Sequence, residues 1–212
     1  MAVELAEANG LMPELTLFVL NTVLRQSAQF SRLGIDMRIA VNVSASMLTD
    51  VNLPLTVKHA LELWDVPPER LTLEVTEATL MQDVELSLSI MRQLKTLGTQ
   101  LSLDDFGTGY SSFAYLRRMP LDELKIDQLF VRNLNVLADG SVNPQRDDDL
   151  RIIRSIIDIA HNFDLHTVAE GVEDAATLEL LRSLGCDVIQ GYFTGRPMPI
   201  PQIEGWWRER QA

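Results

Sequence analysis

The sequence predicts an α/β protein with parallel strands joined by crossover helices, built in the manner of a (β/α) barrel. Two observations carry that expectation. Short apolar strands alternate with longer amphipathic helices along the whole 212-residue chain, which is the signature of strand-crossover-strand units. Each of the six strands also ends in a polar residue: Asn42, Glu74, Asp104, Lys125, Glu170 and Gln190. In a parallel barrel the chemistry gathers at the C-terminal strand ends. Six strand tips of this kind form a constellation, where any one alone would be unremarkable surface.

The elements follow in order. A helical period (Leu15, Phe18, Val19, Thr22, Val23, Gln26) predicts a helix over 13–33 with an apolar face on those residues, stopped at Gly34. A strand is expected at 38–43, a helix at 54–64 ending before Pro67-Pro68, and a strand at 71–75. A helix over about 83–97 stops at Gly98. Strands at 100–104 and 123–126 flank a short helix near 111–118. A helix at 148–163, a strand at 166–170, a helix at 175–184, a strand at 187–190 and a last helix near 200–209 complete the chain. Residues 132–149 are polar, with Asp-Gly and Asn-Pro punctuation, and read as an extended surface loop. The run Asp147-Asp148-Asp149 suits the start of the next helix, whose dipole favours acids there; a metal site is the competing use.

Composition narrows the classes. The length fits one domain, 1–212. No apolar run approaches the roughly 20 residues that span a bilayer, and the N-terminus has no signal-peptide pattern. A lone cysteine, Cys186, forbids an internal disulfide and agrees with a reducing cytoplasm. His59, His161 and His166 lack ligand spacing and read as structural or surface groups. A net charge of −12 argues against a DNA or RNA polymer as partner. An anionic small substrate remains compatible, provided that divalent cations stand between it and the acids.

Residues 101–127 carry the most information. An apolar strand ends in Asp104 and Asp105, a Gly107-Thr108-Gly109 turn follows, and a second strand ends in Lys125 and Asp127. Paired carboxylates at a strand tip suit divalent metal. An Asp-rich turn that satisfies nearby backbone N–H groups is the alternative from this stretch alone.

Taken together, the ordered motifs Asn42-Val43-Ser44, Glu74-Val75-Thr76-Glu77, Asp104-Asp105-Phe106-Gly107-Thr108-Gly109, Lys125-Ile126-Asp127, Ala169-Glu170-Gly171-Val172-Glu173 and Gln190-Gly191-Tyr192 resemble those of the EAL-domain family of cyclic-di-GMP phosphodiesterases. The resemblance implies a TIM-like (β/α) barrel of the EAL type. It implies hydrolysis of cyclic-di-GMP to linear pGpG with two Mg²⁺ or Mn²⁺ ions. It implies Asn42, Glu74 and Asp104 as ligands of one metal. Asp104 would bridge to a second metal, held also by Asp105 and Glu170. Glu170, Lys125 and Asp105 would be the catalytic groups, with Lys125 holding the attacking water. Glu77, Asp127, Gln190, Gly107 and Gly109 would support the site, and Gln190 and Pro197 would face substrate. Hard oxygen donors agree with Mg²⁺ or Mn²⁺, and the lack of clustered Cys or His argues against zinc.

Departures from the family pattern also shape the expectation. The Glu-Ala-Leu motif, an early metal ligand, is absent from this sequence. So is the arginine that follows it and contacts substrate phosphate. The expectation is therefore an incomplete barrel of about six strand-helix units, lacking the first two strands: the C-terminal three quarters of the family domain. Thr194 stands where the family often has a large apolar residue. Weak or absent turnover by the 212 residues follows from the missing ligand. The alternative is a degenerate module that binds cyclic-di-GMP or a protein partner without catalysis; an unrelated enolase-like barrel would leave the motif order unexplained. Exposed edges predict a homo-oligomer, a dimer in the simplest case. The resemblance further implies a bacterial cytoplasmic domain, with sensory or GGDEF domains fused in the parent protein, which a membrane could anchor.

Overall fold

The computed structural model describes residues 5–6, 9–107, 113–132, 134 and 147–211. By contacts the chain divides into two compact units, 1–101 with 198–212, and 102–197.

In the first unit, α1 (Met12–Arg32) carries Pro13 in its first turn, where the missing N–H costs nothing. Its buried face is Thr16, Leu20, Leu24, Ser27 and Phe30. This corrects the face read from the sequence: Phe18 is 68% exposed. The helix has two apolar stripes, and periodicity cannot say which one meets the core. Leu20 and Leu24 settle it, each burial being worth roughly 1.5–3 kcal/mol. Strands β1 (Ile39–Asn42) and β2 (Leu71–Thr76) pair in parallel, with Asn42 beside Glu74. Between them run α2 (Ala45–Leu48) and α3 (Leu53–Trp64). After β2 come α4 (Glu77–Leu80) and α5 (Val84–Leu97). Asp83 caps α5 by accepting from the Leu86 N–H at 3.2 Å. Gly98 ends it at φ +98°, a left-handed stop. The last helix, α10 (Ile200–Gln211), belongs to this unit.

The second unit takes up β3 (Gln100–Phe106) at Ser102. It continues with α6 (Phe113–Leu116), β4 (Glu123–Ile126), α7 (Gln128–Arg132), α8 (Asp147–Asn162), β5 (His166–Ala169), α9 (Ala175–Ser183) and β6 (Val188–Ile189). All pairings from β3 to β6 are parallel and in chain order. The core holds Leu103, Leu124, Ile126, Ile153, Ile157 and Leu181. The alternation read from the sequence is present, with boundaries shifted by a residue or two. Helix α8 begins at Asp147, so the acidic run lies within its first turn. The short helices α2, α4 and α7 escaped the sequence reading, because four or five residues do not display a 3.6-residue period. Of the expected loop 132–149, Arg132 ends α7, residues 147–149 are helical and Leu134 is fully buried. Residues 133 and 135–146 lie outside the described set. Among the described residues no helix is long and apolar enough to cross a membrane.

Candidate functional site

The first unit brings two of the expected site residues together. Asn42 and Glu74 are register partners at the ends of β1 and β2, and the Val43 N–H donates to the Glu74 carbonyl at 2.8 Å. Glu74 is buried, whereas Asn42 is exposed. A cleft of about 890 Å³ opens beside Asn42, lined also by Ser44, Thr76, Thr79 and Gln82, with Leu15 and Val19 of α1 as apolar wall. Glu77 begins α4 and is buried. The segment that it would anchor, 108–112, falls outside the described residues, as does Gly109.

The second unit builds a tighter cluster from three strand tips. Between Leu103 and Phe106, β3 advances three residues while β4 advances two, from Leu124 to Ile126. The extra residue is a β-bulge. Asp105 takes a left-handed conformation there, φ +57°, unusual for any residue other than glycine. In a regular strand two adjacent aspartates would face opposite sides. The bulge turns both toward one neighbourhood. The Asp104 carboxylate lies 3.2 Å from Lys125 Nζ, and Asp105 shares a hydrogen bond with the Asp127 side chain. Asp104 also accepts from the Asp105 N–H at 3.0 Å, so part of the turn-capping alternative is real.

Lys125 is 4% exposed and its ammonium bridges two acids, Asp104 at 3.2 Å and Glu170 at 2.7 Å. A buried ammonium needs such partners. Asp105 shows the strain of the crowd. Burial first, then the Asp104 charge, then Asp127 and Glu170, push its carboxyl up to about 6. Asp127 is anchored by its own turn, accepting from the Leu129 N–H at 2.6 Å. Among the described residues no three acids or imidazoles stand ready as a ligand shell. The lysine ammonium pairs instead with both Asp104 and Glu170. The donor chemistry nevertheless fits a hard divalent cation. Four carboxylates gather around one ammonium, and burial together with their negative charge raises the Asp105 carboxyl above the usual range.

Two glycines set the loops around this cluster. Gly107 is at φ +96°, and a Cβ there would come within 3.1 Å of Phe130. At Gly191 a Cβ would lie 2.2 Å from the Val172 carbonyl oxygen and 2.4 Å from its nitrogen, so no side chain fits. The close approach lets Gln190 N–H donate to the Ala169 carbonyl (2.8 Å), Val172 N–H to the Gln190 carbonyl (3.1 Å) and Phe193 N–H to the Val172 carbonyl (3.0 Å). The segments bearing Glu170 and Gln190 are thereby laced together. The Gln190 side chain and Pro197 are exposed. The bulge and the left-handed Asp105 were not foreseen. The only sequence hint was two consecutive acids ending an apolar strand.

The EAL-domain sequence profile matches residues 2–197. The chain belongs to the EAL-domain family. It is 43% identical over 200 residues to the bifunctional diguanylate cyclase/cyclic di-GMP phosphodiesterase MucR of Pseudomonas aeruginosa, covering 94% of this chain and 28% of that protein. It is 36% identical over 203 residues to the cyclic di-GMP phosphodiesterase PdeR of Escherichia coli, covering 96% and 29%. The chain thus spans under a third of the length of these curated relatives. Among solved structures it is similar to the MucR phosphodiesterase from P. aeruginosa in complex with c-di-GMP (TM-score 0.86, 41% identity, 95% of this chain and 78% of that one). It is also similar to the EAL domain of Mycobacterium smegmatis DcpA (TM-score 0.83, 31% identity, 92% and 84%). The EAL family therefore holds for the chain, and its fold is the TIM-like (β/α) barrel of the EAL type, incomplete, with six parallel strands.

Proposed function

We propose that this chain is a cyclic-di-GMP phosphodiesterase module that opens one phosphodiester of the ring to give linear pGpG. The observation that carries the reading is the Asp104–Lys125–Glu170 cluster, with Asp105 crowded beside it, at the strand ends of an EAL-family chain. Relatives named as cyclic di-GMP phosphodiesterases support it, as does a similar structure in complex with c-di-GMP.

Asn42, Glu74, Asp104, Asp105 and Glu170 would hold two Mg²⁺ or Mn²⁺ ions. Bound there, such ions lower the pKa of water and stabilise charge on the attacking and leaving oxygens. The residues' own work is separable from that. Glu170 accepts the proton of the attacking water as its oxygen bonds to phosphorus. The bond from phosphorus to the ribose oxygen breaks, and that oxygen takes up a proton. Lys125, buried between Asp104 and Glu170, orients both carboxylates and offers its ammonium to the negative charge growing on the phosphoryl group. Asp127 and Gln190 support the cluster, and Pro197 faces substrate.

We further propose that residues 1–212 act as one domain, in a cytoplasmic parent protein with additional fused domains. Exposed Phe18, Leu55 and Leu63 support self-association. Light scattering reads that directly: a stable monomer would remove it. The activity test is chromatographic conversion of cyclic-di-GMP to pGpG with Mg²⁺ or Mn²⁺. Turnover abolished by Glu170→Gln supports the reading. Tight cyclic-di-GMP binding without turnover under any divalent cation, by a chain extended to carry a Glu-Ala-Leu segment, would replace it with the receptor reading.

A further inference from the structure

Immediately beyond the Gln190 strand tip the chain makes a compact turn. Thr194 N–H and Gly195 N–H both donate to the Gly191 carbonyl at 3.1 Å, and the Thr194 hydroxyl adds a third bond at 2.8 Å. The turn folds Arg196 back so that its guanidinium carbon sits 4.5 Å from the centre of the Tyr192 ring. Both side chains are exposed; Tyr192 is 47% so. Among the described residues the Arg196 guanidinium makes no ion pair, although the chain carries twelve more acids than bases. The ring contact sets where the guanidinium sits, and the turn that carries it is laced through Val172 to the Glu170 loop.

We propose that the Tyr192–Arg196 pair is a specificity-determining site for the guanine base of the substrate, a reading that rests on the proposed phosphodiesterase function. The chemistry selects that ligand. A guanidinium stacked on a ring keeps its N–H groups pointing outward in its own plane. Two of them match the O6 and N7 acceptors of guanine, the donor fork that no other base edge satisfies as well. Adenine presents a donor where guanine presents O6, and is repelled. The exposed Tyr192 ring gives the base a flat apolar neighbour. A phosphate would use the same charge but would need no stacked geometry and would not discriminate between bases.

The experiment is calorimetric titration of the 212-residue chain carrying Glu170→Gln, which stops turnover, with cyclic-di-GMP and with cyclic-di-AMP in Mg²⁺. Adding Arg196→Met should weaken cyclic-di-GMP about 10- to 100-fold and leave cyclic-di-AMP nearly unchanged. Arg196→Lys should fail to rescue, since an ammonium keeps the charge and loses the fork. Tyr192→Leu should give a smaller loss of the same selectivity. Equal weakening of both dinucleotides by Arg196→Met would show a charge effect only and overturn the proposal. Unchanged cyclic-di-GMP affinity would overturn it too, while leaving the phosphodiesterase reading intact. If the unsubstituted chain neither binds nor turns over cyclic-di-GMP, that reading falls, and this inference with it.

Discussion

Strand β5 separates two clusters of opposite character, and each has an aspartate as its clearest witness. At the C-terminal end, Asp105 sits among Asp104, Asp127 and Glu170 with a single ammonium between them. At the N-terminal end, Asp187 sits among donors. Its Oδ2 accepts from His161 Nε2 at 2.9 Å and from both the N–H and the hydroxyl of Thr167 at 2.8 Å. Burial alone would raise Asp187, yet these donors and the His161 imidazole bring it down to about 2. Burial first, then the neighbouring acids, carry Asp105 the other way, to about 6. Two carboxylates of one small unit thus differ by about four pKa units. A carboxylate whose lone pairs are answered by its own protein is a fastener, tying α8 to β5 and β6. A carboxylate set among other carboxylates suits the cation-binding role proposed for it.

The largest expected effect breaks the comparison at its functional end. Asp104→Asn and Glu170→Gln should each lower turnover of cyclic-di-GMP by more than about 100-fold, because losing even a supporting partner of a metal ligand typically costs 10–100-fold. Their melting temperatures should fall only modestly, since each relieves repulsion among the acids but leaves the buried Lys125 ammonium one charged partner fewer. A collapse in stability instead would make these acids structural.

The next effect breaks it at the other end. Asp187→Ala strips three donors of their acceptor. It should destabilise folding by about 2–3 kcal/mol, read by denaturant unfolding. Turnover per folded molecule should stay within a few-fold of the parent.

A smaller effect sharpens the contrast through pH. Folding raises Asp105 from 3.8 to about 6, so the folded chain holds that proton more tightly. Below pH 3.8 the group is protonated in both states. As pH rises from there to about 6, the unfolded chain ionises first, and stability falls; above 6 the loss is complete. Asp187 has the opposite sign, being lowered from 3.8 to about 2. Its contribution is present above 3.8 and is lost as pH falls through 2. Metal-free Asp105→Asn should therefore gain about 1 kcal/mol at pH 7, after allowance for solvent screening, and lose nothing at pH 3.5. Mn²⁺ should raise the melting temperature of the parent more at pH 7 than at pH 5, and that difference should vanish in Asp105→Asn.

Much of this was legible in the sequence because strand alternation and strand-end polarity are local patterns. Asn42, Glu74, Asp104, Lys125 and Glu170 stood out as polar residues ending apolar runs. The buried face of α1 was not legible: Leu15–Val19 and Leu20–Leu24 are both apolar stripes, and only packing chooses between them. Nor was the bulge at Asp104–Asp105, which is a property of register against β4. The Asp187 clasp was missed as well. His161 and His166 showed no ligand spacing, and Asp187 is brought to them only when β6 pairs with β5.

Ser102 tests the comparison between its two poles. It lies on β3 two residues before Asp104 and is fully buried, and its hydroxyl has no hydrogen-bond partner among the described residues. It belongs neither to the donor-rich end, where Thr167 shows what a satisfied hydroxyl does, nor to the acid cluster above it. A hydroxyl buried without a partner costs about 1–3 kcal/mol relative to a satisfied one, and removing it leaves no new group unsatisfied. Against that, Ser102→Ala loses only one small atom's worth of contact. The expected outcome is a change within about 1 kcal/mol, toward greater stability, with turnover unaffected. A loss of stability beyond that, or a drop in turnover, would show that Ser102 holds a buried water beneath Asp104. The acid cluster would then extend one layer deeper into the strand than its side-chain contacts indicate.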